Sequence, residues 1–219
     1  MQRITDAFFW ATRDPEWVVK VLVIGLILII PIAGAINGLG WMLASLDRLR
    51  TGDERLPPAN FSYLGRGWRL FVVQLVYGLA IALIAGLVYL PAVIVAVQEG
   101  KSEANGAVIA LALALNLVSF GVTTLGGLLY TFAIPAVVLA TDAGGVGGGL
   151  SVRAIWRRSR ANLAHTLIAG LMLIAASFIG SLGLIICGVG VFFTSAYALA
   201  IQAWIIRSYE LGDRVAEAA

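Results

Sequence analysis

Four long apolar tracts dominate the sequence and limit what the chain can fold into. They cover residues 17–46, 68–98, 106–141 and 166–206, and each exceeds the roughly 20 residues that a helix needs to cross a bilayer. Backbone groups surrounded by lipid must find hydrogen-bond partners within their own segment, so such tracts fold as helices. The sequence therefore predicts an all-α, polytopic bundle of transmembrane helices, organised as a single integral membrane domain over residues 1–219.

The composition and the placement of ionisable groups narrow the possible functions. Hydrophobic residues make up 60% of the chain and charged residues 12%, whereas soluble domains have about 45–50% and about 25%. All twelve carboxylates lie outside the tracts or at their edges, so none marks the path of a proton-coupled pump. The single cysteine, Cys187, and the single histidine, His165, lack partners for a disulfide or a metal site. We expect no enzyme, no metal and no cofactor.

The first tract, residues 17–46, contains several residues that interrupt helices. These are Pro31, Gly34, Asn37, Gly38 and Gly40. A break between positions 31 and 40 would let the tract fold back as a re-entrant pair. A straight crossing is the alternative, because Trp17 and Trp41 would then lie about 36 Å apart and reach both membrane interfaces.

The last tract is about two crossings long and has four glycines between positions 180 and 190. A turn at these glycines divides the tract into two membrane segments. The predicted membrane segments are 17–46, 68–98, 106–141, 166–187 and 188–206. The total is five or six segments, depending on whether the first one is broken or re-entrant.

The distribution of basic residues predicts the orientation, because positive loops favour the cytoplasmic side. If the first tract crosses once, eleven basic residues lie on one side and four on the other. If it folds back, the division is fourteen to one, which fits the rule better. Both versions place the Arg-rich loops and the C-terminus in the cytoplasm. The pattern indicates orientation in a membrane rather than nucleic-acid binding.

Two segments outside the tracts have the character of interfacial helices. In residues 1–16, Ile4, Phe8 and Ala11 share one helical face, which favours an interfacial N-terminus over a disordered one. Residues 142–165 predict a glycine-rich linker followed by a basic amphipathic helix. The residues expected to contact anionic lipid there are Arg153, Arg157, Arg158 and Arg160.

Neutral polar residues within the tracts are the remaining candidates for a site. Asn37, Gln74, Asn116 and Gln202 come from four different tracts and could converge on a polar cavity for a solute. The competing interpretation is that each makes hydrogen bonds between helices, worth about 0.6–2 kcal/mol per contact.

Small residues also recur at four-residue spacing. Gly78, Ala82 and Gly86 form one such stripe on the second tract. This pattern lets helices approach one another closely. We expect it to serve packing within the bundle, and oligomerisation is the alternative.

Several short motifs, spread over nearly the whole chain, resemble a known family. The motifs are Asp14-Pro15-Glu16-Trp17, Ile30-Pro31-Ile32, Gly40-Trp41, Gly52-Asp53, Leu56-Pro57 and a closing stretch, 188–213, with Phe192, Phe193, Tyr197 and Tyr209. Together they resemble domain-of-unknown-function family 4013 of bacterial and archaeal membrane proteins, although Trp41 stands where a tyrosine is expected. The resemblance implies a multi-pass prokaryotic inner-membrane protein and carries no known activity.

From these features we expect a non-enzymatic accessory or scaffold subunit of a membrane assembly. Its partners would be membrane lipid and other membrane proteins or further copies of itself, and no nucleic acid. The alternative is a permease or lipid-handling protein whose neutral cavity is lined by the four polar residues. A membrane enzyme ranks third, because Asp47, Asp53 and Glu54 lie in a loop where they could hold a metal.

Overall fold

The computed structural model describes residues 5–99, 106–185 and 188–217, and these fold into helices without any strand. The predicted all-α class is therefore confirmed. The elements are α1 (Asp6–Phe9), a 3-10 turn (Trp10–Arg13), α2 (Trp17–Leu28), α3 (Ala33–Arg50), α4 (Leu64–Glu99), α5 (Gly106–Gly149), α6 (Val152–Ala161), α7 (Leu163–Leu182), a second 3-10 turn (Gly183–Ile185) and α8 (Gly190–Glu217).

Four helices in the described part of the chain are long and apolar enough to cross a membrane. They span Leu64–Pro91, Ile109–Gly149, Leu163–Ile185 and Gly190–Gly212. The apolar helix α2 is shorter than these four. The total of five or six crossings stays a prediction.

The chain forms two compact units, where the sequence predicts one membrane domain. The first unit comprises Met1–Val73 and Thr131–Ala219, and the second comprises Gln74–Tyr130. In the first unit, α8 packs against α2, α3 and α7, and the buried side chains around it form the core.

The first apolar tract is broken at residues 29–32, at the edge of the predicted interval. Pro31 cannot donate a backbone hydrogen bond, and Ile32 has a positive φ of 61°, so the helix cannot continue there. Gly34 and Gly38 lie within α3 instead of breaking it. A Cβ on Gly38 would lie 2.9 Å from the Leu28 side chain, so this glycine lets α2 and α3 pack closely.

Two hydrogen bonds show that the broken tract folds back on itself. The Lys20 Nζ donates to the carbonyl of Leu56 at 3.1 Å, and the Trp41 Nε1 donates to the neighbouring carbonyl of Pro57 at 3.3 Å. In one straight helix Lys20 and Trp41 would lie about 32 Å apart. The tract is therefore not one straight helix in this structure, and its folding as a re-entrant pair in the membrane stays a prediction.

The last apolar tract turns within the predicted interval. α7 gives way to a 3-10 turn after Leu182, and Gly188 has a positive φ of 71° that favours glycine. Across the turn, the Thr194 hydroxyl donates to the Gly180 carbonyl at 2.5 Å, which ties α8 to α7. Cys187 lies outside the described residues.

The glycine-rich segment that begins after Asp142 is helical for longer than expected. α5 continues to Gly149 with a kink at Gly145, which has φ 63° and ψ −155°. Glycine is the residue that adopts this conformation without strain. The basic helix α6 begins three residues beyond Gly149, inside the predicted segment 142–165.

The N-terminal segment is helical in the described residues, and its buried side chains only partly coincide with the predicted apolar face. Ala7, Trp10 and Ala11 are the buried residues, while Phe8 is half-buried and Ile4 lies outside the described range. Trp10 is fully buried, stacks on Trp204 with ring centroids 5.9 Å apart, and donates from Nε1 to the carbonyl of residue 200. A large aromatic ring with a partner for its N–H gains more from this core than from the membrane surface.

The second unit is built from parts of α4 and α5 and buries little of its own surface. Its internal contacts include the Ser119 hydroxyl, which donates to the Ala85 carbonyl at 3.0 Å, and the Tyr77 and Tyr130 rings, whose centroids are 5.3 Å apart. Leucines along both helices are exposed, with Leu83 at 66% and Leu117 at 71%.

Candidate functional site

The predicted polar cavity depends on Asn37, and both polar atoms of this side chain have partners. The Asn37 Nδ2 donates to the Asn60 carbonyl at 2.9 Å, and its Oδ1 accepts from the Tyr63 backbone N–H at 3.0 Å. Asn37 is fully buried. Its amide therefore holds the loop that precedes α4.

The other three predicted cavity residues are placed differently. Gln202 is half-buried on α8 in the first unit. In the second unit, Gln74 is half-buried and Asn116 is exposed. The convergence of the four residues stays a prediction.

The predicted lipid-contact residues all lie on α6. Arg153, Arg157 and Arg160 are exposed, whereas Arg158 is half-buried and its carbonyl accepts a hydrogen bond from Tyr209 at 3.5 Å. The Arg160 guanidinium lies 5.0 Å from the centroid of the exposed Trp156 ring. A cation stacked on an exposed aromatic ring suits the water–lipid boundary.

Three of the motifs that carry the family resemblance, those at Asp14, Trp41 and Leu56, meet at residues 51–63, which we call the anchored loop. Asp14 is 1% exposed, and its Oδ2 accepts from the Leu56 backbone N–H at 2.8 Å and from the Lys20 Nζ at 2.7 Å. Its Oδ1 accepts from the Glu16 N–H at 2.9 Å, just before α2 begins at Trp17. One buried carboxylate thus joins the N-terminal segment, α2 and the anchored loop.

The electrostatics of Asp14 follow from these contacts. Burial alone would raise the pKa of the Asp14 carboxyl, but the hydrogen bonds from Lys20 and from the two backbone amides lower the pKa below its ordinary value. Asp14 is therefore charged at neutral pH. Its role is to hold the fold together, since every oxygen is occupied by a partner within the chain.

Loop carboxylates that could have held a metal are paired with arginines. Glu54 Oε2 lies 2.5 Å from the Arg13 Nη1, and Asp53 Oδ2 lies 3.4 Å from the Arg48 Nη1. Asp47 is paired with two further arginines. Within the described residues, no group of three or more potential metal ligands converges.

A second charged cluster lies where α3, α4, α5 and α8 meet in the first unit. Arg50 is its centre, with its Nη1 2.6 Å from an oxygen of Asp142 and 3.2 Å from one of Asp47, and its Nε 3.1 Å from one of Glu210. Burial alone would lower the pKa of Arg50, but the bonds to Asp142 and Glu210 raise the pKa above its ordinary value. The guanidinium remains charged under all physiological conditions.

Two more arginines complete this arginine–carboxylate network, which we define as Asp47, Arg50, Arg66, Asp142, Arg207 and Glu210. Arg66 is paired with Asp47 and lies 3.3 Å from Asp142, while Arg207 lies 2.8 Å from Glu210. Sequence reasoning missed this network. One feature of the sequence could have indicated the network. Acidic and basic residues lie among four tract ends, and the positive-inside rule places these four ends on the same side of the membrane.

A cavity of about 380 Å³ opens beside the network, within the first unit. Leu43, Gly65, Arg66, Arg69, Leu70, Thr141 and Asp142 line it. Leu43 and Leu70 are buried, and Arg69 is exposed on the same face of α4 as Arg66. The cavity thus combines an apolar floor with a wall that carries two cations and one anion.

These features define an all-helical protein whose helices are long and apolar enough to cross a membrane, with a charged cluster and a small cavity beside it. The model of the family described as protein of unknown function DUF4013 matches residues 23–189, and the chain belongs to this family. The match omits Asp14 and most of the closing stretch. No curated protein and no solved structure matches the chain.

Proposed function

We propose that this protein is a non-enzymatic accessory or scaffold subunit of a membrane assembly in the inner membrane of a prokaryotic cell. The observation that carries the proposal is the second unit, in which many large apolar side chains are exposed. Leu79, Leu83 and Leu87 are each about 60% exposed or more on α4. Lipid covers part of such a surface, and helices of another membrane protein cover the rest.

The length of the apolar helices supports a partner in addition to lipid. α4 contains 36 residues and is therefore about 54 Å long, against a hydrocarbon thickness of about 30 Å. A helix of this length must tilt or protrude, and neighbouring helices are what fixes such a tilt.

The stripe of small residues on α4 gives the proposed contact a location. Gly78 and Gly86 have nothing within 4 Å of the position that a Cβ would take, so packing within the chain does not use them. Ala82 lies between them and is exposed. Small residues at this spacing let a second helix approach closely in lipid, where van der Waals packing drives association.

The proposed orientation places the Arg-rich loops and the C-terminus in the cytoplasm. It is supported by the arginine–carboxylate network, to which the end of α3, the start of α4, the end of α5 and the later part of α8 all contribute. It is also supported by the break in the first tract. If this tract folds back, the excess of positive charge on the cytoplasmic side is larger than if it crosses once.

A photo-crosslinking experiment in the native membrane tests the proposal. A photoreactive amino acid replaces Ala82, and the irradiated membranes are solubilised in mild detergent and analysed by mass. We expect a discrete product that contains one other membrane protein, and we expect Gly78→Leu to reduce its yield at least several-fold. Gly121→Leu on α5 is the matched control, because Gly121 also has open space around it.

Three results would contradict the accessory role. These are cross-links to lipid only, a protein product that Gly78→Leu and Gly121→Leu affect equally, and a product with the mass of two copies of this chain. The last result would show a homo-oligomer instead.

A further inference from the structure

We propose that the cavity beside the arginine–carboxylate network binds the phosphate group of an anionic phospholipid headgroup, with Arg69 and Arg66 as the phosphate contacts. This site is separate from the exposed arginines of α6, and it does not depend on the accessory role. The argument starts from the charges in the cavity wall.

Arg69 lines the cavity and has no carboxylate partner within the described part of the chain. Arg66 shares Asp47 and Asp142 with Arg50, whereas no carboxylate among the described residues pairs with Arg69. Together with Arg69, the network contains four arginines and three carboxylates. This region therefore carries an excess of one positive charge. Guanidinium groups bind phosphate oxygens through paired N–H donors, which makes phosphate the preferred counter-ion.

The backbone beside Arg69 also favours an anion. Gly65 lies in the first turn of α4 and lines the cavity, and open space surrounds the position of its missing Cβ. A ligand can therefore approach the backbone closely at this point. The partial positive charge of the helix N-terminus adds to that of the two arginines.

The apolar floor and the depth of the site identify the source of the phosphate as lipid. Leu43 and Leu70 are 3% and 0% exposed and close the inner side of the cavity, where a hydrated inorganic phosphate would have no favourable contact. Trp68 is 53% exposed next to Arg69, at the start of a candidate membrane span. Exposed tryptophans are typical of the headgroup level, where phospholipid phosphates lie.

The cavity volume is consistent with this ligand. About 380 Å³ lies at the lower end of the range for small-molecule pockets, roughly 300–1,000 Å³. It holds a phosphate with its glycerol moieties, while the acyl chains extend past the exposed Trp68 into the bilayer.

Native mass spectrometry of the protein released from nanodiscs tests the proposal. The nanodiscs contain equal parts of phosphatidylglycerol and phosphatidylcholine, and the bound lipids are counted for each variant. We expect the wild-type protein to retain phosphatidylglycerol selectively, and Arg69→Gln to lower this retention roughly tenfold, the effect of losing one charge-assisted contact. Arg69→Lys should retain part of the binding, because it keeps the charge but loses the paired donors.

Two controls separate a built site from general surface charge. Arg55→Gln removes an exposed arginine of the anchored loop that does not line the cavity, and it should leave retention unchanged. Gly65→Leu keeps all charges but fills the cavity, so it should abolish selective retention, whereas Gly78→Leu on the same helix should not. Melting temperatures of the variants confirm folding, and Gly65→Leu keeps the test valid if Arg69→Gln does not fold.

The proposal is overturned by equal losses in Arg69→Gln and Arg55→Gln, or by full retention in Gly65→Leu. Titration with inorganic phosphate distinguishes the two sources of the ligand. If phosphate alone displaces phosphatidylglycerol at equal concentration, the site belongs to a free anion and the lipid assignment is wrong.

Discussion

The two units use similar apolar helices in different ways. The span Leu163–Ile185, in the first unit, has a mean hydropathy of 2.2, and 33% of the residues in its apolar 18-residue window are buried. The span Leu64–Pro91, most of which belongs to the second unit, has a mean hydropathy of 2.4, and 11% of the residues in the corresponding window are buried. Hydropathy thus predicts which segments leave water but does not predict what covers them. Whether another helix of the chain covers an apolar segment depends on polar and aromatic residues that hold the two helices together.

Those fixing residues are concentrated in the first unit. Trp41 and Asn37 bind backbone carbonyls of the anchored loop, and Asp14 binds one of its backbone amides. In lipid, interior contacts gain little from the hydrophobic effect, because lipid tails are as apolar as the interior. Hydrogen bonds and close packing therefore hold the first unit together, whereas many large apolar side chains of the second unit are exposed. The three predictions below test this comparison.

The largest effect on stability is expected from Trp41→Ala in the first unit. Trp41 is fully buried, and its Nε1 donates to Pro57, so the change creates a cavity and removes a hydrogen bond. We expect a loss of about 3–5 kcal/mol in the free energy of unfolding, measured by denaturant titration in detergent. Trp68→Ala is the matched control, because Trp68 is 53% exposed and its loss should change the free energy by at most about 0.5 kcal/mol. Equal effects would contradict the described packing.

A somewhat smaller effect is expected from Leu79→Arg in the second unit, and it concerns insertion rather than packing. Leu79 is 59% exposed near the middle of the span Leu64–Pro91. A charge at that depth costs about 2.5–3.5 kcal/mol of insertion free energy. The inserted fraction of the α4–α5 hairpin in a glycosylation-reporter assay measures this cost. Leu79→Ala should insert almost as the wild type does, and full insertion of Leu79→Arg would mean that this face does not meet hydrocarbon.

The same comparison explains how much of the molecule was predictable from sequence. Apolar length and breakers such as Pro31 and Gly188 predict helices and turns, because lipid leaves the backbone no other choice. Pairing between distant segments is not encoded in any local pattern, so the bonds from Arg50 to Asp142 and Glu210 were missed. Trp10 was assigned to the membrane surface for the same reason, because its partner Trp204 lies 194 positions away in the sequence.

The role of the polar residues within the tracts also depends on segments that are distant in the sequence. The sequence shows where the polar residues lie in the tracts, but it does not show which atoms they bind. Asn37 bonds to the loop residues Asn60 and Tyr63. A polar residue in an apolar tract can therefore line a cavity or bind another segment of the chain, and only the position of the neighbouring loop distinguishes these two roles. The cavity that the structure does contain is lined mainly by residues at tract ends.

The smallest of the three effects is expected from Asp14→Asn, and it depends on pH. The lowered pKa of Asp14 means that its contribution to stability is fully present above about pH 3.9, the ordinary aspartate pKa. This contribution is lost as the pH falls through the lower pKa of the folded protein, because the carboxylate then becomes protonated in both states. At neutral pH we expect Asp14→Asn to cost about 1.5–3 kcal/mol, since it weakens hydrogen bonds from a buried lysine and two amides.

Melting curves at pH 6 and pH 3 separate this effect from general acid sensitivity. The wild-type protein should lose more stability between the two pH values than Asp14→Asn does, because the variant has no carboxylate at position 14 to protonate. Asp53→Asn is the matched control: its ion pair with Arg48 is exposed, and an exposed pair contributes at most about 1 kcal/mol. If Asp14→Asn and the wild type lose the same stability on acidification, Asp14 does not anchor the loop through its charge. The first unit would then be held by packing alone, and its difference from the second unit would lie in shape complementarity rather than in polar contacts.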